Sequence, residues 1–323
     1  MAQTTWIVTT GEAGMRAQAC GLAARIGLPF DEKTVTLRPP WSWLPGHVAA
    51  AGMRTRDAGA RHIPPPPWPD LLIACGRRSI PAALLIRRAG EGRTFTVYLQ
   101  DPKIPPRYFD LVIPMQHDGL RGGLRAPNVH PTLTALHGLT PDGLVAAADA
   151  LAPTLKALPR PLVAVLIGGK SRAYDLSETR CRDIAGRLLA LVKSTNCGMI
   201  VTLSRRSGAQ NAEILRATLR HQNIHLWSGQ GDNPYPGMLG AADHIIATGD
   251  TVSMISEASA TGKPVSVIDL DGGSARFSRF HANMTKAGIT RPFDGNLAGW
   301  SYETVDETGR IAALVRQHLN RAG

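Results

Sequence analysis

Thr248-Gly249-Asp250-Thr251-Val252-Ser253-Met254-Ile255-Ser256-Glu257-Ala258-Ser259-Ala260-Thr261-Gly262-Lys263-Pro264-Val265 reads as a strand end, a tight turn, a helix, a glycine stop and the next strand. Ile245, Ile246 and Ala247 form an apolar run that halts at Gly249 and Asp250. Asp250 or Thr251 caps the helix, because a side-chain oxygen there accepts from the free N–H groups of the first turn. Gly262 ends the helix and Pro264 blocks its return. A helix opening where a strand ends presents unpaired N–H donors and the positive end of its dipole, which suits a phosphate. Thr251, Val252 and Ser253 stand at that opening, and Ser253 adds a hydroxyl. Glu257, four residues later, lies one turn deeper on the same face. A carboxylate there repels phosphate but can accept the protons of two ribose hydroxyls. The alternative is a capped helix with Glu257 in water.

The Ser/Thr…Glu…Gly-Lys-Pro arrangement resembles the donor-nucleotide motif of two-domain (GT-B) glycosyltransferases. Leu162–Ile167 is a buried strand running into Gly168-Gly169-Lys170-Ser171. Two glycines and a lysine after such a strand form an anion cradle in its simplest form. The string is not a Walker loop, which needs G-x-x-x-x-G-K-[ST]. Met199–Leu203 is the next strand and leads to Ser204-Arg205-Arg206-Ser207-Gly208. Paired arginines after a strand end hold a diphosphate bidentately; otherwise they are a solvated turn. Loops that follow parallel strands share one sheet edge, so these three are expected to converge.

The first half repeats the α/β pattern. Thr5–Thr9 is a strand, Met15 to Ile26 an amphipathic helix, Lys33–Leu37 a second strand and Asp70–Cys75 a third. Thr94–Leu99 and Asp110–Pro114 follow as strands. The first turn holds Gly11 and Gly14, not G-x-G-x-x-G, which argues against a dinucleotide fingerprint. Glu12 in that turn is either solvated or a carboxylate aimed into a cleft at the strand's carboxyl end. Asp101 and His117 occupy equivalent loops, with Arg77 and Arg78 after the third strand. Trp41, Trp43 and Leu44 sit among prolines; tryptophans of this kind pack on a core or meet a bilayer. Arg54, Arg56 and Arg61 precede a stiff Pro64–Pro67 connector. A helix from Thr140 to about Ala152 and prolines 153, 159 and 161 suggest a first domain over 1–152 and a linker over 153–161. A second domain over 162–300 and a C-terminal helix over 301–323, returning to the first, complete the expected α/β architecture: two Rossmann-like doubly wound domains facing across a cleft.

At 323 residues, with 43% hydrophobic content, each half can bury a core. The net charge is +11, and residues 1–160 carry 18 basic against 11 acidic side chains. The excess, mostly arginine, fits an acidic partner. Aromatics at 5% and the lack of a basic run interleaved with them argue against nucleic acid. Cys20, Cys75, Cys181 and Cys197 are too widely spaced for a metal knuckle; reduced thiols point to a cytoplasmic protein. No apolar run approaches the roughly 18–20 residues of a membrane span. Any membrane contact is therefore expected to be peripheral, at an anionic surface.

Several strings together resemble one family. They are Gly14-x-x-x-Gln18-x-x-Gly21-Leu22-Ala23, Pro69-Asp70 through Cys75-Gly76-Arg77-Arg78, Asp101-Pro102-Lys103, Phe109-Asp110, Pro114-x-x-His117-Asp118, Pro127-Asn128-Val129, Ala135-Leu136-His137, Gly168-Gly169-Lys170, Ser204-Arg205-Arg206 and Thr251-Val252-Ser253-Met254-Ile255-Ser256-Glu257. The chain is similar to the elongated-mitochondria (mitochondrial fission) family, whose bacterial members are GT-B-like. The resemblance implies a nucleotide-sugar site on the second domain, with Glu257 on the ribose and Ser253, Arg205 and Gly169 on the diphosphate. It names no catalytic base. The expected function is transfer of a sugar from a UDP- or GDP-linked donor to a lipid or cell-envelope glycan. That transfer needs no further cofactor and no metal; Glu12, Asp101 and His117 are the candidate bases. A non-catalytic adaptor at a membrane surface is the alternative, and a sugar-nucleotide epimerase a third.

Overall fold

The computed structural model describes residues 4–52, 65–119 and 126–322. Arg54, Arg56, Arg61 and Pro64 lie outside them. The chain forms two compact units, 1–138 with 306–323, and 139–305. In chain order the first holds β1 (Thr5–Thr9), α1 (Ala13–Ile26), β2 (Phe30–Thr34), α2 (Gly46–Gly52), β3 (Leu71–Cys75), α3 (Ile80–Ala89), β4 (Phe95–Leu99) and β5 (Leu111–Ile113). The second holds α4 (Pro141–Leu155), β6 (Leu162–Ile167), β7 (Tyr174–Asp175), α5 (Glu178–Thr195), β8 (Gly198–Leu203), α6 (Ala209–Thr218) and β9 (Ile224–Leu226). It continues with α7 (Tyr235–Ala241), β10 (His244–Thr248), α8 (Val252–Ser259), β11 (Val265–Ile268), β12 (Asp271–Gly272), α9 (Ala275–Lys286) and β13 (Thr290–Pro292). The last helix, α10 (Glu307–Ala322), belongs to the first unit.

Each unit is built on one parallel sheet, in the orders β2-β1-β3-β4-β5 and β13-β11-β10-β6-β8-β9. The central strands β1, β3, β6 and β10 are buried along their whole length. Helices on both faces cover such strands, so they are apolar without alternation. The sequence placed a strand at Lys33–Leu37, but the second strand is Phe30–Thr34, with Val8 opposite Lys33. It is an edge strand, so Asp31 and Glu32 remain exposed and the apolar signal is weak. Arg16 reaches across to pair with Glu32 at 2.6 Å.

The expected boundary near residue 152 is displaced. Pro153 lies inside α4, and α4 packs on α7 of the second unit. Glycines permit this approach: a Cβ at Gly237 would sit 2.5 Å from the Ala147 carbonyl oxygen, and one at Gly240 2.2 Å from that of Leu144. Helix α10 buries Ile311, Ala312, Val315 and Leu319 in the core that also holds Ile7, Leu22 and Ile73. Its first turn is tied by Glu307, which accepts from the Leu133 amide at 2.7 Å, and by the Thr308 hydroxyl, which accepts from the His137 amide at 3.1 Å.

Helix α1 meets residues 137–138 at Gly21, where an added Cβ would lie 2.5 Å from the His137 carbonyl carbon and 2.6 Å from the Gly138 nitrogen. Backbone cannot yield as a flexible side chain can. Gly21→Ala is expected to destabilise the first unit by about 1–3 kcal/mol, the cost of overpacking. Thermal unfolding checks this; an unchanged midpoint would show that the segment shifts freely.

Candidate functional site

The three loops expected to converge do so. β10, β6 and β8 are adjacent parallel strands, so the turns after Thr248, Ile167 and Leu203 emerge at one edge. Asp250 joins them. Its carboxylate is fully buried and accepts from the Gly169 amide at 3.0 Å, the Thr248 hydroxyl at 2.7 Å and the Arg206 guanidinium at 2.8 Å. The Thr248 hydroxyl in turn accepts from the Gly168 amide at 2.7 Å. The Arg206 carbonyl accepts from the Lys170 amide at 3.0 Å. The Ser207 hydroxyl donates to the Gly168 carbonyl.

This network corrects the expected anion cradle. The amides of Gly168, Gly169 and Lys170 all donate within the protein. The two glycines serve close packing: a Cβ at Gly168 would lie 2.1 Å from Asp250 Oδ1, and one at Gly169 2.2 Å from the Arg206 carbonyl oxygen. The Lys170 side chain points outward, 78% exposed, with Asp175 at 3.7 Å. Ser204 spends its hydroxyl on the Arg206 amide at 3.1 Å.

What remains for a ligand is a smaller set. Thr251, not Asp250, is the cap of α8, its hydroxyl accepting from the Met254 amide at 3.4 Å. Among the described residues no acceptor engages the amides of Val252 and Ser253. Arg205 is exposed and, among the described residues, makes no ion pair. Glu257 is half-buried and accepts from the Tyr235 hydroxyl at 2.6 Å. Burial holds its carboxyl above the ordinary carboxylate range, partly opposed by the Tyr235 bond. Tyr235 itself is raised well above the ordinary phenol by burial and by the Glu257 charge. Tyr235 opens α7, and Lys263 closes that helix by donating to the carbonyls of Leu239 at 3.0 Å and Gly240. His281 from α9 supports the same edge through the Gly249 carbonyl at 2.8 Å.

The sequence missed Asp250 as the brace because its partners Gly169 and Arg206 stand 81 and 44 residues away. It also missed Tyr235, whose partner Glu257 stands 22 residues away. The chain carries an Asp-x-Asp string as well, Asp269-Leu270-Asp271 after β11. Asp271 accepts from the Ser177 hydroxyl at 2.7 Å and pairs with Arg180 at 3.3 Å.

The three candidate bases all follow parallel strands of the first sheet, at its carboxyl edge. Glu12 is exposed at the start of α1 and accepts from the Thr10 hydroxyl. Asp101 is held by the Lys103 amide at 2.8 Å and by the Lys103 ammonium. His117 is buried, with Asp118 at 3.8 Å. Cys75, at the end of β3, has its thiol pushed up to about 12 by burial and by the Glu12 charge, so it stays protonated.

A family model described as "Mitochondrial fission ELM1" matches residues 13–319. "Mitochondrial fission protein ELM1" of Arabidopsis thaliana is 32% identical over 279 residues, covering 79% of this chain and 65% of the relative. The chain thus spans about two thirds of that relative's length. "Uncharacterized protein RP120" of Rickettsia prowazekii (strain Madrid E) is 23% identical, covering 96% of this chain and 97% of the relative. Among solved structures, UDP-GlcNAc 2-epimerase of Methanocaldococcus jannaschii superposes with a TM-score of 0.59 at 11% identity, over 97% of this chain and 99% of the other. The same enzyme in complex with UDP-GlcNAc and UDP gives 0.56, with the same identity and coverage. At that identity the likeness shows the fold alone, and the fold is of the GT-B type.

Two outcomes test the site's construction. Asp250→Ala leaves the Arg206 charge and two donors without their acceptor, and is expected to cost roughly 3 kcal/mol in a urea titration. Asp250→Asn, which keeps an acceptor, should cost less; a loss below about 1 kcal/mol for the alanine variant would show that the loops hold without the brace. Glu257 supplies a pH test. Its folded-state pKa is raised, so the folded protein retains a proton that the unfolded chain has already released. The stability this group contributes is present below the ordinary carboxylate range and is lost as pH rises through the folded value. Relative to the wild type, Glu257→Gln should gain stability across that window; the opposite trend would mean the carboxylate is already charged in the folded protein.

Proposed function

The chain belongs to the mitochondrial fission ELM1 family, and from that premise we propose that its second unit binds a nucleoside-diphosphate sugar, UDP- or GDP-linked, and that the protein transfers the sugar to a lipid or cell-envelope glycan. The observation that carries this is the joining of three strand-end loops by Asp250, which sets Arg205 and the opening of α8 at one sheet edge. In this proposal the diphosphate lies on the Val252 and Ser253 amides, the Ser253 hydroxyl and Arg205. Fixed dipoles and a guanidinium aimed at a leaving diphosphate stabilise its developing charge without reorganising. The ribose hydroxyls donate to Glu257, taking the oxygen not engaged by Tyr235. Binding to the ionised carboxylate releases the proton that burial retains, so nucleotide affinity rises with pH. The acceptor hydroxyl loses its proton to a base of the first unit. Glu12 is first choice, because it is exposed while Asp101 and His117 are engaged or buried.

One observation favours a second function. The Gly168–Lys170 amides are already used inside the protein. A non-catalytic adaptor that retains the frame and recruits a protein at a membrane surface needs no anion cradle.

Calorimetry with UDP, GDP and ADP separates the two. One diphosphate should bind the wild type. Glu257→Ala should weaken it about ten- to hundredfold, the loss of hydrogen bonds to a charged group. If none of the three binds, the transferase fails and the adaptor stands. If Glu257→Ala binds as well as wild type, the ribose lies elsewhere. Incubating the bound donor alone tests a third chemistry, since an epimerised nucleotide sugar would mark an epimerase.

A further inference from the structure

Among the described residues four large hydrophobic side chains are exposed, and three of them lie within six positions: Trp43 (78% exposed), Leu44 (39%) and Val48 (43%). Trp41 and Trp43 share one 3-10 turn yet diverge. Trp41 packs under α2, where a Cβ at Gly52 would come within 2.9 Å of its ring, and joins Leu37, Ala49 and Leu85. Trp43 is left outward. The turn and α2 are therefore fixed to the first unit by one indole and present the other to solvent. Large apolar side chains clustered in this way are not ordinary surface.

The same short helix borders a concavity of about 500 Å³, where His47, Arg87, Arg88 and Tyr108 stand around an apolar wall that includes Ala50, Ala51 and Leu84. His47 precedes Val48 on α2, so the apolar positions and the pocket share one short helix. The His47 ring stacks on Tyr108 at 5.8 Å, and its Nδ1 is buried without a hydrogen-bond partner among the described residues. Arg107 extends over the other ring of that pair, its guanidinium 5.5 Å from the Tyr108 centroid. Arg87 is paired with Asp110 at 2.7 Å. Arg88 and Arg107 are exposed to solvent.

We propose that this surface docks the protein on an anionic phospholipid bilayer, with Trp43, Leu44 and Val48 entering the acyl boundary and the exposed guanidinium groups of Arg88 and Arg107 meeting the lipid phosphates. An apolar wedge with exposed arginines on the same unit matches a membrane interface, where indole rings settle at headgroup depth and cations meet anionic lipid. The net charge of +11 favours the same partner at longer range. No helix among the described residues is long and apolar enough to cross a membrane, so the contact is one of surface insertion. The docking does not depend on the nucleotide proposal, because vesicle binding and nucleotide binding are measured apart.

The test is sedimentation of the full chain with vesicles of phosphatidylcholine alone, or of phosphatidylcholine with phosphatidylglycerol. The wild type should sediment with the phosphatidylglycerol vesicles, release as salt is raised, and bind neutral vesicles weakly. Trp43→Ser should lower partitioning roughly tenfold or more, as loss of a buried large apolar side chain. Arg88→Ala should lower it about fivefold, the worth of one cation near an anionic surface. Val48→Asp provides a second apolar variant, and circular dichroism checks that each folds. Equal binding to both vesicle types, no binding at all, or binding unchanged in both Trp43→Ser and Val48→Asp overturns the proposal. So does a concentration-dependent dimer, seen in sedimentation velocity and abolished by Trp43→Ser, which would assign the patch to a second copy of the chain.

Discussion

The carboxylate of Asp250 is the constraint on which the second unit's working edge depends. Three parallel strands would place their following loops near one another in any case, but proximity is not registry. A fully buried charge must be satisfied or it destabilises the fold. Asp250 is satisfied only if the Gly169 amide, the Thr248 hydroxyl and the Arg206 guanidinium are all delivered at once. One carboxylate thus converts three separately folded turns into a single surface. It also demands that Gly168 and Gly169 lack side chains, since the space a Cβ would need is filled by the carboxylate and by the Arg206 backbone.

That demand changes what the glycines mean. A Gly-Gly-Lys string after a strand is ambiguous between phosphate approach and protein packing, because both need a backbone without Cβ. Here the nearest atoms are protein atoms. In the proposed nucleotide site the anion therefore falls to groups the brace leaves over: the opening of α8 and Arg205. The cap supports this division. Thr251 takes the Met254 amide, one turn in, and leaves the amides ahead of it open. Beneath them, Glu257 is held by Tyr235, and Tyr235 by a helix whose far end is closed by the Lys263 ammonium. The Gly-Lys-Pro string, which reads as a helix stop, thus also fixes the partner of the acid that precedes it.

The legible parts of the chain were those where local and global requirements coincide. β1, β3, β6 and β10 are buried on both faces, so their composition alone announces them. β2 was misplaced because an edge strand with Asp31 and Glu32 in water has no apolar period. The paired β7 and β12 are two residues each, below any periodic signal. The unit boundary was misjudged because Pro153 was taken as a helix breaker, whereas it lies within the last turn of α4. Only a contact between α4 and the glycines of α7 shows which unit that helix joins. The strand-end loops that carry Ser253, Glu257 and the arginines were legible, but the brace that joins them was not. Asp250 stands beside Thr251, each an acceptable cap, and nothing local separates a cap from a buried strut.

The first sheet's carboxyl edge shows the same distinction between having a group and having it available. Glu12, Asp101 and His117 are equivalent by topology, each just beyond a parallel strand. They are not equivalent chemically. A general base must reach a hydroxyl proton within about 3 Å and must not be neutralised by its own loop. Asp101 accepts from the amide and ammonium of Lys103, which orients it but leaves it occupied. His117 is enclosed against Asp118. Among the described residues the Glu12 carboxylate engages the Thr10 hydroxyl alone, a neutral donor two residues away that a substrate hydroxyl can replace. Burial, with a smaller contribution from the Glu12 charge, pushes the neighbouring Cys75 thiol up to about 12, so it stays protonated. In the proposed transfer, exposure and a replaceable partner are the grounds for placing the acceptor's proton on Glu12 rather than on Asp101 or His117.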